Sequence, residues 1–144
     1  MRIWDFRLLP YLPDLQFKGQ LRELVFIMHQ WRNTGKTNHL LINRVMEYPK
    51  SELSSYFVIY DKQYGERYGK EHQKFAREFI DFAEHGRFNP APFHGWHNQE
   101  YLRVCMANLY EKYRFGVGKS KISQSEWDKL LQGYYEITGE PYQV

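Results

Sequence analysis

Apolar positions along this chain recur mostly at helical spacing. Phe17, Leu21, Leu24, Met28 and Trp31 follow one another at intervals of four, three, four and three residues, the stripe of a helix that buries one face. Asp14 stands before the stripe as an N-cap, so the pattern predicts a helix from there to about Arg32. NTGKTN, residues 33–38, reads as a turn. HLLINRVMEY, 39–48, is a short apolar element whose type the pattern leaves open, closed by Pro49. The longest run begins at Ser51, where Leu53, Phe57, Tyr60, Tyr64, Tyr68, Phe75, Phe79 and Phe82 hold helical phase as far as Gly86. Gly65 and Gly69 fall inside it, each costing about 1 kcal/mol relative to alanine, so a kink or break is expected there.

FNPAPFHGWH, 88–97, carries two prolines and reads as a loop. A further helix over 98–114 turns Leu102, Met106, Leu109 and Tyr113 inward. FGVGKSK then forms a glycine-hinged basic loop, and Ser125 is the expected cap of a last helix, EWDKLLQGYY. Residues 1–13, with two prolines, are expected to begin as an extended arm. Strand-like alternation is scarce. The pattern predicts an all-α fold, a compact single helical domain over residues 1–144 with an extended N-terminal arm.

Composition narrows this only a little. A chain of 144 residues is long enough to bury a core, and 42% hydrophobic with 18% aromatic residues argues against disorder. A net charge of +3 tolerates a nucleic-acid partner without requiring one. The single cysteine, Cys105, can form no intrachain disulfide, which suits a reducing compartment. No apolar run approaches the length of a membrane span, and MRIWDFRLLP lacks the apolar core of a signal peptide. A cytoplasmic monomer with no membrane partner is expected.

Some features that look chemical are better read otherwise. GVGKS at 116–120 and TGKT at 34–37 resemble the end of a phosphate-binding loop. That motif needs a glycine five residues before its Gly-Lys, where Tyr113 and Gln30 stand, and no apolar strand precedes either site. Lys119 and Lys121 remain candidate phosphate contacts. His94 and His97 are spaced like a metal pair, but the only cysteine lies on a separate predicted helix and zinc needs three or four convergent ligands. Backbone hydrogen bonding is the simpler role, and no metal site is expected. Cys105 reads as an inert core thiol.

Glu23 is different. Its neighbours one turn away are Gly19, Gln20, Phe26 and Ile27, so it has no basic partner on its own helix, while Lys18, Arg22 and His29 line a separate ridge. Gly19 leaves open space beside the carboxylate. An enclosed acid must be paired, hydrogen-bonded or kept protonated. Helix geometry alone favours a structural partner from elsewhere in the chain, and leaves open a substrate in the gap at Gly19.

Several stretches together resemble the pyrimidine-dimer DNA glycosylases typified by the phage endonuclease V. These are MRIW, PDLQFKGQLREL, RNTGK at 32–36, FVIYDK at 57–62, the Leu109–Lys112 L-x-E-K and YYEITGEPY at 134–142, in matching order over most of the chain. The resemblance implies a small all-α enzyme that cleaves the glycosidic bond of damaged pyrimidines in double-stranded DNA, cyclobutane dimers foremost, and then the abasic site. Its nucleophile is the chain's α-amine, which here belongs to Met1, with Arg2 beside it. Glu23 matches the catalytic acid, Arg22 its adjacent phosphate-binding arginine, and Gln16 a polar position on DNA. Tyr134 and Tyr135 match a DNA-contacting segment. The chain departs from the pattern where Arg2 follows Met1, a residue too bulky for the usual removal of the initiator. Its arm is one residue longer, Phe26 replaces a second helix arginine, and Glu136 and Glu140 replace basic tail residues.

The chemistry suits these residues. An α-amine has an ordinary pKa near 7.7–8.0, so part of it is neutral at pH 7, and Arg2 and Arg22 would disfavour its cation. The neutral amine can attack the deoxyribose C1′ to give an iminium. Glu23 would stabilise the cationic sugar and assist proton transfer in β-elimination. No metal or organic cofactor is required. Gln16, Lys18, Arg22, Arg32, Lys36, Lys119 and Lys121 are the candidate DNA contacts, mostly to phosphate. The rival readings are a nucleic-acid-binding module without catalysis and a metal-dependent hydrolase using His94 and His97.

Overall fold

The computed structural model describes residues 2–35 and 39–144. Among them the chain forms six α-helices, two short 3-10 turns and no strand, as the pattern predicts. The helices are α1 (Asp14–Asn33), α2 (Leu40–Val45), α3 (Lys50–Tyr68), α4 (Gln73–Ala83), α5 (Gln99–Phe115) and α6 (Gln124–Thr138). The apolar element of open type is thus the short helix α2.

Phe17, Leu24 and Met28 of the α1 stripe are buried, with Leu21 and Trp31 packed against the core edge. α1 lies on α3 and α4, and α3 on α4. Phe17 stacks on Tyr60 with ring centroids 4.5 Å apart, and Phe57 on Phe79 at 4.3 Å. The long run from Ser51 breaks where the glycines predict. Gly69 takes a left-handed φ of 81° and closes α3, a conformation that costs glycine little. The buried Asp61 carboxylate then accepts the His72 backbone N–H at 3.1 Å and holds the start of α4.

The arm begins extended and then coils into a 3-10 turn at Phe6–Tyr11. Asp5, fully buried, caps that turn by accepting the Arg7 backbone N–H at 3.0 Å, and it pairs with the Arg7 guanidinium. Asp14 does not cap α1. Pro13 occupies that position, and the Asp14 carboxylate accepts instead from Tyr68 at 2.7 Å and Arg67 at 3.2 Å, tying α1 to the end of α3. The cap of α6 is Ser123 rather than Ser125, in a reciprocal capping box with Glu126. α6 closes over the 3-10 turn and packs on α5. Gly133 permits this approach, since a Cβ there would lie 2.4 Å from the Tyr11 ring. No helix among the described residues is long and apolar enough to cross a membrane.

Among the described residues no group of three or more His, Cys, Asp or Glu is placed to hold a metal. His94 is exposed. His97 is buried and its Nδ1 accepts the Phe6 backbone N–H at 3.3 Å, so the ring proton sits on Nε2, which has no partner among the described residues. Burial lowers its pKa to about 4. The folded state therefore holds His97 neutral, and the stability this contributes is present above the ordinary value near 6.5 and is lost as pH falls toward 4. The difference amounts to about 3 kcal/mol. His97→Asn, whose amide oxygen can take the Phe6 N–H without titrating, should lose that much less between pH 7 and pH 4 in urea unfolding. Equal losses in both proteins would contradict it.

Candidate active site

An open cleft of about 480 Å³ lies where the arm crosses the first half of α1 opposite α5. The arm contributes Arg2 and Trp4, α1 contributes Leu15, Gln16, Gly19, Arg22 and Glu23, and α5 contributes Asn108 and Lys112. Three cations therefore surround one carboxylate.

Gly19 forms the floor as its spacing implies. A Cβ added there meets only the Arg22 Nη2, at 3.8 Å, so the space beside Glu23 is open rather than filled by core. Gly19→Ala should accordingly raise unfolding stability by up to about 1 kcal/mol, the usual gain in a helix. Gly19→Leu should keep the fold while filling the cleft, and lower activity at least about tenfold, since a misplacement of 1 Å near the chemistry already costs more. Melting curves and cleavage rates measured together check this opposition of sign.

Glu23 is half-buried. Its Oε2 accepts the Arg2 backbone N–H and a Gln20 Nε2–H, both at 3.1 Å. Burial pushes its pKa above the usual carboxylate value, opposed by the Arg2 N–H and by the positive charge of Arg22. Among the described residues the acid has no basic partner bonded to it, only two neutral donors that support its ionised form.

Gln20 is 1% exposed, and its amide connects several parts of the site. Nε2 donates to the Arg2 carbonyl at 2.9 Å as well as to Glu23, and Oε1 accepts the Trp4 N–H at 2.8 Å. Tyr56 donates to the Trp4 carbonyl at 2.6 Å and also faces Gln20 Oε1 at 3.1 Å. Tyr101, on α5, donates to the Ile3 carbonyl. The Arg2 guanidinium lies 5.6 Å from the Trp4 ring centroid, a cation–π distance.

Of the residues singled out from sequence, the cleft gathers Arg2, Gln16, Arg22 and Glu23. Gln16 Oε1 is shut away from solvent with no partner among the described residues. Met1 and Lys36 lie outside the described residues. Lys18 turns away to the Tyr68 ring, 5.0 Å from its centroid. Arg32 is exposed near the far end of α1, and Lys119 and Lys121 are exposed in the loop after α5. Tyr134 is a core residue, 1% exposed, whose hydroxyl accepts from Arg103 at 3.2 Å. Of the tyrosine pair only Tyr135 presents its ring to solvent. Phe26 is also exposed, one turn beyond Arg22 and Glu23 on α1.

Sequence reasoning gave no role to Gln20, Trp4, Asn108 or Lys112. Asn108 and Lys112 are four apart on α5 and share a ridge, but only the tertiary fold shows that this ridge faces Glu23. A model of the family described as pyrimidine dimer DNA glycosylase matches residues 1–76, just over half of the chain. No curated protein matches, and no solved structure does.

Proposed function

The chain belongs to the pyrimidine dimer DNA glycosylase family, and from that premise we propose that it excises pyrimidine dimers through its own α-amine and then cleaves the abasic site. DNA bearing pyrimidine damage is the substrate class of the family; the amine chemistry, the lyase step and the residue roles are the proposal.

The observation that carries it is the Arg2 backbone N–H on the Glu23 carboxylate at the edge of a cationic cleft. Covalent geometry keeps the nitrogen of residue 1 within about 4 Å of the Arg2 nitrogen whatever the torsion between them. In this reading an α-amine on residue 1 works beside that acid. The family supplies the substrate, and the cleft an acid and three cations.

In the first step the neutral amine forms an N–C1′ bond as the C1′–base bond breaks, the base leaving with the electron pair. Ionised Glu23 stabilises the positive charge that develops on the sugar. Loss of a proton from nitrogen, and protonation of O4′ as the nitrogen lone pair opens the C1′–O4′ bond, give the iminium. The iminium acidifies C2′; Glu23 takes a C2′ proton, and the electron pair expels the 3′-phosphate. Water then hydrolyses the imine and frees the amine. Arg22, Arg2 and Lys112 are placed to hold the phosphates that flank the extruded nucleotide.

The test is a duplex carrying a single cyclobutane dimer beside its undamaged twin, in buffer containing EDTA. Glycosidic cleavage at the dimer, read as base freed once the cyclobutane ring is photoreversed, together with strand scission at the dimer alone, supports the reading. Binding without scission would favour a non-catalytic module, and activity lost to the chelator would favour a metal-dependent hydrolase.

A further inference from the structure

Residues 2–4 pair with no strand, and the main-chain groups of this buried segment are held by side chains instead. Arg2 N–H goes to Glu23, Arg2 C=O to Gln20, Ile3 C=O to Tyr101, Trp4 N–H to Gln20 and Trp4 C=O to Tyr56. The register of the arm is therefore written in side chains from α1, α3 and α5. A slip of one residue would break all five bonds together.

Gln20 is the junction. Because its oxygen takes the Trp4 N–H, its amide nitrogen must face the other way, where its two hydrogens meet the Arg2 carbonyl and Glu23 Oε2. One buried amide thus positions both the arm and the acid. Tyr56, fully buried on α3, closes the same loop from behind.

We propose that Gln20 and Tyr56 are positioning residues for the reaction, fixing the register of the arm so that the α-amine and the Glu23 carboxylate address one sugar together. The inference rests on the amine mechanism proposed above, and it concerns geometry rather than contact with DNA. Neither residue lines the cleft.

The experiment compares two rates with one affinity in the full-length protein. Single-turnover borohydride trapping on an abasic duplex reports iminium formation. The Kd for a duplex with a tetrahydrofuran abasic analogue, which cannot form an iminium, reports binding. Gln20→Met should slow trapping by about 100-fold, and Tyr56→Phe by about 10-fold, the scale of small misplacements of reacting groups. The Kd should stay within about threefold in both, since the groups that hold phosphate are untouched.

The pH profile separates positioning from general damage. Among the described residues Glu23 is faced by Arg2 from the arm, Arg22 from its own helix and Lys112 from α5, and these, like the α-amine, are retained in both variants. Gln20→Met removes an N–H that favours the ionised acid, so the acidic limb of its profile should move to higher pH. Tyr56→Phe does not touch Glu23 and should slow the rate without moving that limb. Trapping at the wild-type rate in both variants, or a Kd that worsens in step with the rate, would overturn the proposal. If Gln20→Met fails to fold, Tyr56→Phe, which keeps the ring volume, decides the matter alone. Absence of any wild-type adduct would overturn the amine mechanism itself, and this inference with it.

Discussion

Glu23→Gln should abolish most of the activity while leaving the fold and DNA binding in place. A positioned acid–base group contributes roughly 10²–10⁴-fold, and the loss should fall in that range for scission of both dimer and abasic duplexes. Geometry is preserved, because a glutamine oxygen can still accept the Arg2 N–H and the Gln20 N–H that Glu23 Oε2 holds. Stability at pH 7 should not drop. Burial raises the Glu23 pKa, so the ionised acid costs the fold free energy; that cost is present above the folded pKa and is relieved as pH falls through it. Glutamine carries no such cost. The wild-type rate should rise with pH through the raised pKa of Glu23, and Glu23→Gln should lack that limb. A variant that cleaves abasic DNA at the wild-type rate would return Glu23 to a structural role, as an acceptor that merely ties down the arm.

Acetylation of the Met1 amine should have a larger effect still. An acetylated nitrogen has no lone pair to give, so iminium formation, excision and scission should all fall to background, well beyond the loss expected for Glu23→Gln. Affinity for the tetrahydrofuran duplex should change by less than about tenfold, since Arg22 and Lys112 remain. The modified protein is compared with one acetylated on lysines only, and peptide mapping by mass shows which amine is blocked. Full activity with a blocked Met1 would remove the α-amine from the mechanism.

Most of the helical framework is legible from apolar spacing because burial repeats with the helix. The stripe through Phe17, Leu24 and Met28 and the break at Gly69 both follow from local rules. The capping box at Ser123 was equally local, since Glu126 stands three residues on, but Ser125 beside the apolar run draws attention from it. Asp14 was not readable in the same way. Its partners Arg67 and Tyr68 lie more than fifty positions away, and they outcompete the cap.

The site divides along the same line. Glu23, Arg22 and Gly19 are neighbours on one helix, so their relation is fixed by the 3.6-residue repeat. The arm has no periodicity of its own, and its place is set by Gln20, Tyr56 and Tyr101 from three separate helices. A glutamine within QLREL carries no signal that it bridges a remote backbone to an acid. Tyr134 shows the converse, for its resemblance to a DNA-contacting position says nothing of the burial that Arg103 and the α6 packing impose.

The central claim is that the first nitrogen of the chain is the nucleophile held against Glu23. It is tested most directly by trapping the protein on an abasic duplex with borohydride, digesting the adduct and mapping the modified peptide by mass. A single DNA adduct on the α-amine of Met1 is expected. An adduct on a lysine such as Lys112, or active protein that leaves no adduct at all, would contradict it.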